Sequence, residues 1–230
     1  MTGDCHVQFG ERLAGKFRRP THLDFVLIQG EPIGDVLTAI RDALDPWLGR
    51  ASWKQSERSA RLIYRFQSED QPPVSLRLKI EINTVEAFTL FGYEHKEYIV
   101  DNQWFSGQAI INTYCIEELM GTKLRALYQR AKGRDLYDLW LGIEHLNMDC
   151  AKVLKAFQHY NQFNKISISR AEFEKNLLLK MQMQEFLKDA TLVLANNVNW
   201  NPITGAELVM KKLIERLPGE AWRLKEKSEI

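Results

Sequence analysis

The stretch Glu117-Glu118-Leu119-Met120-Gly121-Thr122-Lys123-Leu124-Arg125-Ala126-Leu127-Tyr128-Gln129-Arg130-Ala131-Lys132-Gly133-Arg134-Asp135-Leu136-Tyr137-Asp138-Leu139-Trp140 sets the period of the second half of the chain and holds many ionic groups. Leu119, Leu124, Leu127 and Tyr128 recur at helical spacing. Lys123, Arg125 and Arg130 decorate the same segment, and Asp135 and Asp138, three residues apart, share one helix face just beyond. Lys123, Arg125, Arg130, Lys132 and Arg134 fall within twelve residues, a density that suits a triphosphate or a nucleic-acid backbone. Each also has an ordinary reading. A lysine in an amphipathic helix commonly snorkels to the surface, and Arg134-Asp135 can simply be a helix start with acid on its dipole. Arg12, Lys16, Arg18 and Arg19 add a second basic run near the N-terminus.

From Ile116 onward the helical period continues over Ile116–Ala131, Arg134–Leu146, Cys150–Asn161, Arg170–Asn196 (with one break) and Pro202–Leu217. Asn196–Asn201 reads as a polar loop and Arg223–Ile230 as a charged tail. Residues 116–230 are therefore expected to form a helical domain. Before it, residues 1–115 mix short extended runs with turns. Leu23–Ile28 reads as a strand ending at Gly30, Ile33–Trp47 as a helix, and Arg61–Phe66 as a strand broken by Gln67–Pro73. The clearest strand is Val74–Ile82. It alternates Val74, Leu76, Leu78, Ile80 and Ile82 against Ser75, Arg77, Lys79, Glu81 and Asn83, so its polar side must look at water or at a site. Trp53, Trp104 and Phe105 suit either a core or an interface, and the core is the expectation.

With 230 residues, 45% of them apolar, the chain can bury a proper core. A formal charge of +1 excludes global attraction to nucleic acid or membrane and leaves only local patches. Cys5, Cys115 and Cys150 are odd in number and far apart, which fits neither a disulfide scaffold nor zinc-ligand pairs. No apolar run approaches the roughly 18 to 20 residues that span a bilayer, and the N-terminus has no signal layout. A cytoplasmic protein with no membrane partner is expected.

Asp24 at the head of one strand and Glu81 within another could meet on a shared sheet. Two carboxylates so placed supply the hard oxygen donors that magnesium takes in phosphoryl or nucleotidyl transfer. Read singly, each is better explained as a solvated surface residue.

Glu117–Leu139, with Lys123-Leu124-Arg125-Ala126-Leu127-Tyr128-Gln129-Arg130 followed by Arg134-Asp135-Leu136-Tyr137-Asp138-Leu139, closely resembles the signature helix pair of the AbiEii/AbiGii nucleotidyltransferase family, the toxin component of type IV toxin–antitoxin and abortive-infection systems. Lys79-Ile80-Glu81-Ile82-Asn83 resembles that family's second-strand motif, and Leu23-Asp24-Phe25 the end of its Asp-x-Asp-Phe motif. The resemblance spans roughly Gly3 to Leu141. It implies an α+β fold: a polymerase-β-like nucleotidyltransferase mixed sheet with flanking helices, short at its N-terminus, followed by a C-terminal helical bundle. It also implies transfer of a nucleotide from a nucleoside triphosphate, GTP or a pyrimidine triphosphate in different members, to an acceptor such as the tRNA 3′ end or a protein hydroxyl.

Carried over by residue, the catalytic set is Asp24, Glu81, Lys123 and Asp138. Asp24, Glu81 and His22 would hold Mg2+ or Mn2+, while Gly3, Arg125, Arg130, Arg134 and Asp135 would bind substrate. A cognate antitoxin encoded alongside is the implied partner. The chain departs from the family pattern at Gly3-Asp4-Cys5, where a glycine turn carries a small hydroxyl residue, and at His22, where the Asp-x-Asp pair has its first carboxylate. Asp4 places negative charge where phosphate would sit, and imidazole is a softer ligand than magnesium prefers. These changes motivate an alternative: a catalytically weakened homologue that binds nucleotide or RNA without turnover.

Overall fold

Alternation of apolar and charged residues makes Ser75–Asn83 (β5) the axis of a mixed sheet. In this computed structural model the described residues are 5–8, 21–28, 32–69, 71–101, 106–190 and 199–223. The chain divides into two compact units, Met1–Tyr114 and Cys115–Ile230.

In the first unit, Cys5–Gln8 (β1), Thr21–Leu27 (β2), Ser52–Gln55 (β3), Ser59–Gln67 (β4) and β5 form one sheet in the order β1-β2-β5-β4-β3. Only β2 and β5 run parallel; the other neighbours are antiparallel. The helix Ile33–Leu48 (α1) covers one face. Val36 and Leu48 are buried there with Leu62, Tyr64, Ile80 and Ile82, and Ile33, Leu37, Ile40 and Leu44 of the helix pack alongside. Because strand side chains alternate, this burial turns the odd-numbered residues of β4 and β5 to the opposite face. Tyr93–Asp101 (β6) and Ser106–Tyr114 (β7) pair as a separate antiparallel ribbon. The extended runs of this region are visible in the sequence, but this ribbon, β1 and β3 were not among the expected strands. Trp53 corrects the expectation of a core residue: it lies on the short edge strand β3, 61% exposed. Trp104 and Phe105 lie outside the described residues, as do Gly3, Asp4, Arg12, Lys16, Arg18, Arg19 and Gly30.

The second unit is helical: Ile116–Gln129 (α2), Gly133–His145 (α3), Cys150–Phe163 (α4), Arg170–Met181 (α5), Gln184–Asp189 (α6) and Pro202–Lys212 (α7), with a 3-10 turn at Ile214–Arg216. Within the expected helical run from Arg170 to Asn196 a break falls at Gln182–Met183, between α5 and α6, and residues 191–198, with the end of that run and the start of the expected polar loop, lie outside the described residues. Local chemistry starts three of these helices. Asp149 accepts from the amides of Ala151 and Lys152, Ser169 and Glu172 form a reciprocal capping box, and Asn201 accepts from Ile203 N with Pro202 in the first turn. Leu124, Leu127, Leu136, Leu139, Val153 and Phe173 are fully buried in the shared core. Gly121 permits close contact of α2 with α4, since a Cβ there would lie 2.5 Å from Ala156 Cβ. The α+β class, a mixed sheet followed by a helical bundle, is thus the class expected from sequence. No helix among the described residues is long and apolar enough to cross a membrane.

Candidate active site

On the face of the sheet opposite α1, register does what the sequence could only suggest. Asp24 of β2 stands opposite Glu81 of β5, and His22 opposite Lys79. On the other side of β5, Arg61 stands opposite Glu81 and Arg65 opposite Arg77. Neighbouring strands lie about 4.8 Å apart, so Asp24, Glu81 and Arg61 form one row across three strands. His22 and Asp24, two residues apart on β2, share the face, and both are exposed.

Glu81 is the hub of this row. Its Oε1 accepts from Arg61 Nε at 2.6 Å and from Ser59 Oγ at 3.2 Å, and its Oε2 pairs with the Lys79 ammonium. Burial pushes the Glu81 carboxyl up. The hydrogen bonds and charges of Lys79 and Arg61 outweigh burial and hold it below its ordinary value. Arg65 and Arg77, directly opposed and exposed, extend positive charge along the face, with Arg65 Nη1 donating to Ser52 Oγ at 3.3 Å. Arginine forks suit phosphate oxygens. Arg61 and Arg65 were not among the expected site residues, although Arg77 and Lys79 stand on the polar side of the alternation that singles out Glu81.

For a metal, the donor chemistry divides unequally. No group of three or more His, Cys, Asp or Glu side chains comes together among the described residues. Magnesium is commonly bound by one or two carboxylates completed by water and substrate phosphates, and Asp24 with Glu81 fits that requirement in kind. Asp24 offers an exposed carboxylate. Glu81 offers oxygens already accepting from three donors, so Asp24 is the stronger ligand of the two.

The second cluster lies on α2 and α3. Lys123 Nζ is 2.7 Å from Asp138 Oδ2 and 3.8 Å from Asp135 Oδ1. Lys123 and Asp138 keep 29% and 31% of their side chains exposed, whereas Asp135 is 0% exposed. Arg130 grips Asp135 with both arms, Nε to Oδ2 and Nη2 to Oδ1, each 2.7 Å. This bidentate pair is the strongest geometry available to the two groups. Gly133 lets α3 begin there: a Cβ at that position would stand 2.0 Å from Phe186 O.

The remaining expected residues sit apart. Arg125 Nη1 donates to Tyr160 O at 3.4 Å and its guanidinium carbon lies 5.2 Å from the Tyr160 ring centroid. Arg134 engages Asp189, which accepts from its backbone amide at 3.2 Å and from Nη1 at 3.4 Å. Asp189 was not recognisable from sequence, since it acts on Arg134 from a helix 55 residues away. Lys123, Arg130, Asp135 and Asp138 are therefore brought together, while Arg125 and Arg134 are held by Tyr160 and Asp189. Gly3 lies outside the described residues.

A family model described as nucleotidyl transferase AbiEii toxin, type IV TA system, matches residues 16–200. A solved structure, the crystal structure of JHP933 from Helicobacter pylori, aligns with a TM-score of 0.47 at 16% identity, over 92% of this chain and 85% of that one. No curated protein matches the chain.

Proposed function

Because the chain belongs to the AbiEii nucleotidyl transferase toxin family of type IV toxin–antitoxin systems, we propose that it is a metal-dependent toxin that transfers a nucleotide from a nucleoside triphosphate to a hydroxyl acceptor. The observation that carries this reading is the register of Asp24 against Glu81 on the sheet face that α1 leaves uncovered. The acceptor hydroxyl oxygen attacks the α-phosphorus and its proton passes to solvent, the bond to the β-phosphate oxygen breaks, and pyrophosphate leaves with the electron pair. Bound Mg2+, or Mn2+ in its place, would supply charge neutralisation on the phosphates.

The chain's own residues do the rest. Asp24 presents a carboxylate to the cation. Glu81 keeps Lys79 and Arg61 in place, and these cations with Arg65 and Arg77 attract phosphate. In the second unit, Lys123, held by Asp138, presents a positive charge of the kind that phosphate takes. Asp135 serves Lys123 through its buried carboxylate rather than by touching substrate, because Arg130 occupies both of its oxygens. The acceptor is a tRNA 3′ end or a protein hydroxyl, the partner is a cognate antitoxin encoded alongside, and the protein works in the cytoplasm.

The test is thermal denaturation with each nucleoside triphosphate, with magnesium or manganese, for the wild type, Asp24→Asn and Glu81→Ala. A metal-dependent rise in midpoint that both variants abolish supports the reading. No rise with any combination sinks it.

A second reading is a weakened homologue that binds nucleotide or RNA without turnover. It is favoured by His22 where the family has a carboxylate and by the occupied oxygens of Glu81. Binding without transfer of labelled nucleotide would select it. His22→Asp would then be expected to raise magnesium-dependent transfer.

A further inference from the structure

Helix α2 ends in an unusual way. Many helices close on a left-handed glycine that recovers their last carbonyls. Here the residue after Gln129 is Arg130, extended at φ −136° and ψ 155°. The missing donors come from α5. The Lys180 ammonium, 7% exposed, donates to Tyr128 O at 2.8 Å and to Leu127 O. Burial pushes this amine down to about 8, and the charge of Asp135 works in the opposite direction. A buried charge is an expensive way to close a helix, and an apolar side chain in the same space commonly costs less.

One residue beyond those carbonyls lies Gln129, and the next is Arg130, whose guanidinium holds Asp135 with two 2.7 Å bonds. Asp135 Oδ1 is 3.8 Å from Lys123 Nζ, which in turn reaches Asp138 Oδ2 at 2.7 Å. Lys180 thus stands at the root of a chain of contacts that ends on Lys123.

We propose that Lys180 is a positioning residue: by capping the end of α2 it sets Arg130, and through the Arg130–Asp135 pair it fixes the buried carboxylate against which the Lys123 ammonium is placed. The use of Lys123 on a triphosphate rests on the nucleotidyltransferase reading. The linkage from Lys180 to Lys123 rests on geometry alone.

The experiment keeps these two apart. In the full-length protein without nucleotide, the rate at which an amine-acetylating reagent modifies Lys123 is followed by mass spectrometry. Lys180→Met should raise that rate about threefold, what a partly exposed ion pair holds back. Lys180→Arg, which keeps charged donors for both carbonyls, should restore the wild-type rate. Val153→Ala, a core truncation on α4, should lower the thermal midpoint without changing the rate. If Lys180→Met lowers the midpoint but leaves Lys123 modified at the wild-type rate, the residue is a structural cap only and the proposal is overturned. Should Lys180→Met fail to fold, Lys180→Gln, which retains an amide donor, is judged by the same rate.

A second arm measures the midpoint shift with a triphosphate and magnesium. Failure of the wild type to respond counts against the nucleotide reading and leaves the labelling result to decide the linkage. A wild-type shift that Lys180→Met loses, together with faster labelling, supports both.

Discussion

Arg130 and Asp135 illustrate how unequal two partners of one ion pair can be. Half of the Arg130 side chain is in water, while Asp135 is 0% exposed. Removing the arginine deprives a buried carboxylate of its bidentate partner, so Arg130→Ala should cost about 2 to 3 kcal/mol in urea denaturation. Lys123→Ala removes a partly exposed pair instead, and should cost at most about 1 kcal/mol while abolishing nucleotide transfer. A loss of stability as large as that of Arg130→Ala would mark Lys123 as structural. At Glu81 the sign of the pH dependence is set by its pairs. Its carboxyl lies below the ordinary 4.5 in the folded protein. The stability it contributes is therefore fully present above pH 4.5 and disappears as pH falls through the lowered value. Glu81→Gln should be less stable than wild type at neutral pH, and the difference should close on acidification, as read from denaturation midpoints across pH.

At the scale of elements, two features decide where the second cluster sits. The start of α3 presses on the α6 backbone through Gly133, and even a methyl group there meets Phe186 O. Gly133→Ala should destabilise by about 1 to 3 kcal/mol. Because α3 carries Asp135 and Asp138, it should also weaken triphosphate binding measured calorimetrically. Retention of wild-type affinity would show that the cluster tolerates movement of α3. Helix α5, which delivers Lys180, is started by the Ser169–Glu172 capping box. Ser169→Ala should cost about 1 kcal/mol, seen as a lower midpoint, with little effect on Lys123 modification because fraying begins at the opposite end of the helix from Lys180.

At the scale of the whole molecule, each unit has its own core. Leu62, Tyr64, Ile80 and Ile82 belong to one, and Leu124, Leu136, Phe157 and Phe173 to the other. The fragment Cys115–Ile230 is therefore expected to fold alone with a cooperative urea transition. A fragment without such a transition would mean that its helices need the first unit to bury their faces.

Read alone, the sequence determined the periods. The alternation of Val74–Ile82 and the helical spacing after Ile116 are local properties of side-chain order, and both elements form nearly where they were expected. The family was legible for the same reason, since Glu117–Leu139 is one contiguous stretch that resembles the family's signature, and the match over 16–200 bears out the family. Partnership was decided only by tertiary structure. Nothing local says that β2 lies parallel to β5 with Asp24 against Glu81, because register is set by burial of the opposite face against α1. Nothing local says that Arg130 faces inward to Asp135 while Arg125 leans on Tyr160, or that the end of α2 is closed by Lys180 from 52 residues away. Ion pairs and caps of this kind depend on which side chains the packing brings within hydrogen-bond reach, a distance that sequence separation does not encode.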